Sequence, residues 1–432
     1  VVRSGKTYDV AVIGGGIAGC AAAYFLADRG LSVVLLEKGE IAGEQSGRNW
    51  GFVRQQGRDP REIPLMMACN RLWQELPAAL EADIEWRRSG ILYLAEGEAE
   101  MADYEGWLDH ARAHGLDSRL VSGREAAALL PGMARAWAGG LYTPGDGQAD
   151  PVKTTQAFAA AAARQGAEIR TGCIVEAIET GGGAVTGLRT EAGEVKAKAV
   201  LVAAGVWSNP LLRGLGLDLP QLRIRATVLR TKQAPDKTAL GVWSPGLGFR
   251  QRRDGSFNVA AGGLVDHDIG LDSLRYAWAF RQGFRQHRRQ FRLHLGRPLV
   301  EDIAALFDSR AALKRCLAKH RVLAPAPDPA KMQKGLAAFH ALFPELADLQ
   351  VDHGWAGVIE ATPDAIPVLD ALPSLAGLFV ATGFSGHGFG IGPIAGRLMA
   401  ELIAGDEPSH DLGAFRFARF AEGLPLAPES AI

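Results

Sequence analysis

The stretch YDVAVIGGGIAGCAAAYFLADRGLSVVLLEK, residues 8–38, decides the fold. Val10 to Ile13 is a short apolar run, suited to a strand buried on both faces. Gly14, Gly16 and Gly19 follow in G-x-G-x-x-G spacing, and an alanine-rich helix, Ala18 to Arg29, is stopped by Gly30. A second apolar run, Ser32 to Leu36, ends at Glu37. Each part has a physical task in holding a nucleotide. Gly14 allows the tight turn, Gly16 lets pyrophosphate approach the backbone, and Gly19 lets the helix pack on the sheet. The helix N-terminus, at Ile17 and Ala18, favours the phosphate charge. Glu37, with Lys38 beside it, can accept hydrogen bonds from ribose hydroxyls, and its charge disfavours a 2′-phosphate. The complete unit argues against a chance cluster of glycines.

The rest of the composition narrows the class. At 432 residues, with 47% apolar and 22% charged, the chain has core material for a large two-domain enzyme. A net charge of −1 gives no reason to expect nucleic acid. Cys20, Cys69, Cys173 and Cys316 are far apart, without metal-ligand or redox spacing. No metal site is expected, and a reducing compartment fits. With no leader-like or membrane-spanning apolar run, a cytoplasmic location is expected.

Two later segments separate FAD from NAD. Residues 197–208, AKAVLVAAGVWS, read as a strand entering a small-residue turn at Ala203, Ala204 and Gly205. Residues 376–404, AGLFVATGFSGHGFGIGPIAGRLMAELIA, read as a buried strand, a Gly-rich loop and a helix with Pro393 near its first turn. A nucleotide-binding sheet completed by the last sixth of the chain suits an FAD enzyme. There the C-terminal helix aims its N-terminus at the isoalloxazine.

With SGRNWG (46–51), CIVEAI (173–178), WAGVIEATPDAIPVLD (355–370) and GFSGHGFGIGP (383–393), the chain resembles the FAD-dependent D-amino-acid oxidase, glycine oxidase and sarcosine oxidase family. The resemblance implies a fold that is α/β plus α+β. A glutathione-reductase-type, Rossmann-like FAD domain would collect residues 1–85, 150–210 and 355–432. A substrate domain built on an antiparallel sheet flanked by helices would take 86–149 and 211–354. The alternating segment 220–263, with a hairpin turn at Arg253-Asp254-Gly255, agrees with that sheet.

The resemblance also implies roles. Ser46, Gly47 and Arg48 fall in the loop beside pyrophosphate and flavin. Val175 presents backbone to the adenine, and Ala204, Gly205 and Trp207 line the cofactor. Gly383, Ser385, Gly386, His387 and Gly388 form the flavin-side loop, where His387 can bond flavin or tune its potential. Arg54 aligns with an arginine that pairs with the substrate carboxylate, for which a bidentate fork is suited. Arg223 and Arg225 are the next anchors. Trp355 and Trp243 are candidate aromatic walls, although core packing suits either, and Trp50 reads as a packing residue.

Three departures from relatives shape the functional expectation. The cysteine that tethers flavin in monomeric sarcosine oxidases falls at Gly357, so FAD is expected to be noncovalent. The carboxylate-binding arginine of glycine and D-amino-acid oxidases falls at Ile359, with Glu360 next to it. A carboxylate-holding lysine of the sarcosine branch falls at Gly390, and its oxygen-activating lysine near Asn258. Part of the pattern also resembles L-amino-acid oxidases acting on L-arginine. There Glu360 would face a basic side chain; a solvated or structurally paired carboxylate is the equal alternative. The expected reaction is oxidation of an L-amino acid by hydride transfer to flavin N5. The products are 2-oxo acid, ammonia and, with dioxygen as acceptor, hydrogen peroxide. The alternatives are a secondary or D-amino acid (sarcosine, proline, an opine), and a chain that works within a hetero-oligomer; a homo-oligomer is also compatible. The basic stretch 274–297 reads as an amphipathic helix with a solvated face, with a membrane surface or anionic partner as runner-up.

Overall fold

The computed structural model describes residues 6–422 apart from 264, 289, 290 and 306–308, and beyond 422 only 426 and 428. Expectations for residues 1–5 and for the chain end lie outside the described residues.

The first sheet is built around the opening unit. In space its strands run Val368–Ala371, Leu378–Thr382, Gly193–Val202, Thr7–Ile13, Val33–Leu36 and Glu168–Arg170. The last five are mutually parallel. Ala184–Thr190 and Val175–Gly181 add an antiparallel flap to Gly193–Val202. The apolar runs divide their residues between two cores. Val10, Val12, Val33 and Leu35 pack under the helices Ile17–Asp28, Pro151–Arg164 and Gly388–Ala404. Ala11, Ile13, Val34 and Leu36 pack on the other face with Ile178, Leu188 and Leu212. Burial on both faces is why these strands read as continuous apolar runs.

The second sheet holds the long pair Leu222–Gln233 and Val351–Ala361, with Arg223 opposite Glu360 and Ala226 opposite Gly357. The hairpin expected at Arg253-Asp254-Gly255 joins Leu247–Gln251 to Ser256–Ala261, with Gly255 at φ +84°. Phe249 and Phe257 pack with Phe339 and Phe343 beneath the helix Pro329–Leu342. The opposite face stays open toward the first sheet.

Two expectations need correction. Val351–Ala361 is hydrogen-bonded along its length to the second sheet, so the chain crosses back to the first sheet after Ala361 rather than at 355. The basic stretch is not one helix: Leu271–Arg275 and Ala277–His287 are helical, and Phe291–His294 is a strand paired in parallel with Val265–Asp268. Its alternation fits a strand, and sheet pairing overrides the helical pattern. Among the described residues no helix is long and apolar enough to cross a membrane.

The helices Ile17–Asp28 and Gly388–Ala404 touch through small residues. A Cβ added at Gly396 would lie 2.5 Å from Ala22 N and 2.6 Å from Ala21 Cβ. Gly396→Ala should therefore destabilise the protein by about 1–3 kcal/mol, the usual scale for overpacking. Urea unfolding followed by circular dichroism checks this; an unchanged midpoint would show that the helices can separate freely.

Candidate active site

A cavity of about 550 Å³ lies between the two sheets, within the range of cofactor and substrate sites. One end is the glycine turn. Gly14 has φ +112°, and a side chain there would run into Ala203 O. Ser46 Oγ accepts the Ile17 N–H at 2.9 Å and caps the helix start. Glu37 accepts the Gly15 N–H and the Gly39 N–H, each at 2.7 Å. Each of its oxygens keeps a lone pair for a ribose hydroxyl. Cys173, Ile174, Val175, Ala203, Ala204, Gly205 and Trp207 continue the wall. Lys38 donates to Glu44 and lies 4.9 Å from the Trp207 ring.

In mid-cavity the loop before Gly388–Ala404 brings Gly386, His387, Gly388 and Phe389 to the wall. Ser385, held at φ +50°, accepts the Thr362 N–H at 3.1 Å. Arg48 donates to Gly43 O at 3.0 Å and to Ala356 O at 3.1 Å, tying its loop to the second sheet. Burial lowers its pKa. A Cβ at Gly357 would sit 3.3 Å from Arg48 Cβ. Gly19, Gly47, Gly383 and Ser385 shape this wall rather than line it.

The far end carries Arg54, Arg58, Trp50, Phe52, Tyr93 and Trp243. Arg54 donates to Gln56 O, and its guanidinium lies 5.6 Å from the Tyr93 ring. Trp50 faces the cavity and also fills the space above Gly248. Arg58 is only 2% exposed, and its Nη1 has no hydrogen-bond partner within the protein. Burial, then the Arg54 charge, push its pKa down to about 10, so it remains a cation at neutral pH. A Cβ on Gly390 would lie 3.6 Å from Arg58 Nη2. Glu62 is wholly buried with both carboxylate oxygens unpartnered, and His387 Nδ1 lies 3.6 Å from one of them. Burial, then Arg58, hold the His387 pKa down at about 4 against the pull of Glu62.

Several expected substrate contacts are placed differently. Glu360 belongs to the wall, but it is 2% exposed. Its carboxylate accepts from Gln221 at 2.6 Å, Thr382 Oγ1 at 2.8 Å and the Phe384 N–H at 3.2 Å. Burial raises its pKa. It pins the strand Val351–Ala361 to Thr382 and the loop that follows it, so of the expected alternatives the geometry shows a paired carboxylate. Arg223 stacks 5.0 Å from the Trp207 ring and donates to Val206 O at 3.2 Å, behind the wall. Arg225 is paired with Asp268 at 2.8 Å. Trp355 donates to Arg48 O at 2.9 Å and supports that loop. Arg58 and Glu62 had no sequence signal beyond charges placed just before the apolar helix Ile63–Ala79.

The residues suit FAD. Two helix N-termini face one elongated cavity, an acid stands at the ribose position, and a glycine leaves room at Gly16, where a Cβ meets only Ser46 Oγ at 3.0 Å. The family model described as DAO, FAD dependent oxidoreductase, matches residues 9–402. The chain is 26% identical to glycine oxidase of Pseudomonas aeruginosa, over 93% of this chain and 96% of that one. It is 26% identical to sarcosine oxidase subunit beta of Arthrobacter sp, over 97% of this chain and 92% of that one. The solved structure of L-amino acid deaminase from Proteus myxofaciens in complex with anthranilate superposes with a TM-score of 0.91. It is 28% identical, covering 96% of this chain and 94% of that one.

The cofactor prediction follows from Gly357 and Gly16. Acid precipitation should release all flavin as FAD, and Gly16→Val should fold, by circular dichroism, but remain colourless. Flavin left in the washed pellet, or a yellow variant, would contradict it. A second prediction concerns pH. Because folding lowers the His387 pKa, the unfolded chain takes the proton first below about 6.5. This stability is present above that pH and is lost as pH falls toward about 4. Asp146, raised to about 6 by burial, shifts stability in the opposite sense over part of the range, so the comparison must be with a variant. Relative to wild type, apo His387→Gln should gain up to about 2 kcal/mol between pH 7.5 and 5. A pH-independent difference in urea melts would remove the imidazole from this role.

Proposed function

The chain belongs to the DAO family of FAD-dependent oxidoreductases, and we propose that it oxidises L-α-amino acids with large apolar or aromatic side chains. At the coarser level it is an FAD-dependent amino-acid oxidoreductase. The observation that carries the finer reading is Arg58, a buried guanidinium with an unpartnered Nη1, beside Arg54 at one end of the cavity. Buried donors of this kind call for an anion. A substrate carboxylate supplies it.

Bound FAD supplies the hydride acceptor. The residues of this chain bind and orient the substrate. Arg54 and Arg58 hold the carboxylate, which fixes Cα relative to the mid-cavity wall. Trp50, Tyr93 and Trp243 offer an apolar, aromatic enclosure for the side chain and exclude water. His387, neutral at working pH, adds no competing positive charge to the carboxylate site. The released imine hydrolyses to 2-oxo acid and ammonia. The L configuration is supported by the likeness to the Proteus myxofaciens deaminase, whose anthranilate is an aromatic carboxylate. Preference for L-arginine loses its support, because the Glu360 carboxylate is already bonded within the fold. Noncovalent FAD is part of the same proposal, since Gly357 offers no thiol.

The test is turnover of both enantiomers of the amino acids, read as 2-oxo acid and ammonia. L-phenylalanine or L-leucine should exceed L-arginine, sarcosine and every D-amino acid; preference for sarcosine or a D-amino acid would overturn the proposal. Arg54→Ala should cost about 2–4 kcal/mol in kcat/KM, and Arg58→Met roughly ten-fold. Phenethylamine, which lacks the carboxylate, should show neither loss. Equal losses on both substrates would mean that the arginines support the fold instead.

A further inference from the structure

The side chains between Leu274 and Ile303 break the rule that apolar faces are covered. Trp278 and Leu295 are each 75% exposed, Leu274 is 68% and Val300 66%. Phe284, Leu293 and Ile303 are also exposed. Among the described residues, Val152 is the one other large exposed apolar side chain. A scattered exposed leucine needs no explanation, but a cluster confined to one segment does. The cluster spans the helices Leu271–Arg275 and Ala277–His287, the strand Phe291–His294 with Leu295 just after it, and the helix Arg297–Ala305. Leu293 and Leu295 share one side of an extended segment, and Val300 and Ile303 are one helical turn apart.

Most of the same segment carries charge of one sign, and acids return only at Glu301 and at Asp302, which accepts the Leu271 N–H at 2.9 Å. Residues 273–300 contain seven arginines and no acid, in a chain whose net charge is −1. Arg285, Arg288 and Arg292 are exposed. Arg281 lies 3.8 Å from the Trp278 ring centroid. Exposed tryptophan and leucine interleaved with arginine match the boundary between lipid headgroups and acyl chains. The apolar side chains come from four elements and a loop position and line neither described cavity, so they form tips rather than a groove. A fluid surface accepts such tips without a matched partner shape.

We propose that residues 274–303 dock the enzyme on an anionic membrane surface, with Trp278, Leu274 and Leu295 inserted among acyl chains and Arg285, Arg288 and Arg292 set against lipid phosphates. The docking surface is separate from the carboxylate site, so it can fail while the proposed activity stands.

The FAD-loaded protein is sedimented with vesicles of phosphatidylcholine alone and of phosphatidylcholine with phosphatidylglycerol. Binding should be at least roughly ten-fold stronger to the anionic vesicles and should weaken with salt. Trp278→Ser with Leu295→Ser, and separately Arg285→Glu with Arg288→Glu, should each weaken it by roughly ten-fold. Both variants should keep flavin content and turnover in free solution, which shows that they fold. Equal binding to both vesicle types, or binding indifferent to both variants, overturns the proposal. So does self-association that the same variants abolish while vesicle binding is absent, because the patch would then cover a second copy.

Discussion

Two helix N-termini face one cavity because their helices can touch. At the contact, Gly396 meets Ala21 and Ala22, where even one extra methyl would press on backbone. That approach sets the turn Gly14–Ala18 and the loop Gly386–Phe389 along the same elongated space. Both ends offer backbone N–H groups and a positive dipole to whatever lies between them. An anionic dinucleotide carrying a ring that gains electron density suits that field at both ends.

The second sheet closes the other side of this cavity. Its long strands form the opposite wall, and Glu360 fastens one of them to the loop at the start of the C-terminal helix. The fastening costs desolvation of a carboxylate, which three hydrogen bonds offset. At the far end the balance is left open. Arg58 and Glu62 are both buried with polar atoms unpaired, and His387 is kept neutral between them. A site that keeps unsatisfied charge next to an aromatic wall is arranged for a ligand with one ionic end and one apolar end.

Much of this was legible in the sequence because the chemistry was local. Gly14 to Glu37 carries its strand, turn, helix and acid within one stretch, and alternation exposed the hairpin at Asp254-Gly255. The loop before the C-terminal helix was readable from its glycines. What stayed hidden depends on tertiary placement. Nothing around Arg58 tells that it folds inward beside Gly390. Whether Glu360 was paired could not be read beside Ile359, because its partners Gln221 and Thr382 lie 139 and 22 residues away in the chain. The basic stretch 274–297 looked like one helix because a strand partner, Val265–Asp268, cannot be seen in it.

With flavin on the two helix N-termini, a carboxylate on the arginines beyond it would complete one continuous site. A crystal structure of the FAD-loaded protein with a bound aromatic carboxylate such as anthranilate tests it most directly. The expected result is the flavin against Gly386 to Gly388, the carboxylate within hydrogen-bond distance of Arg54 or Arg58, and the ring among Trp50, Tyr93 and Trp243. A carboxylate held elsewhere, with both guanidiniums turned to other protein partners, would contradict it.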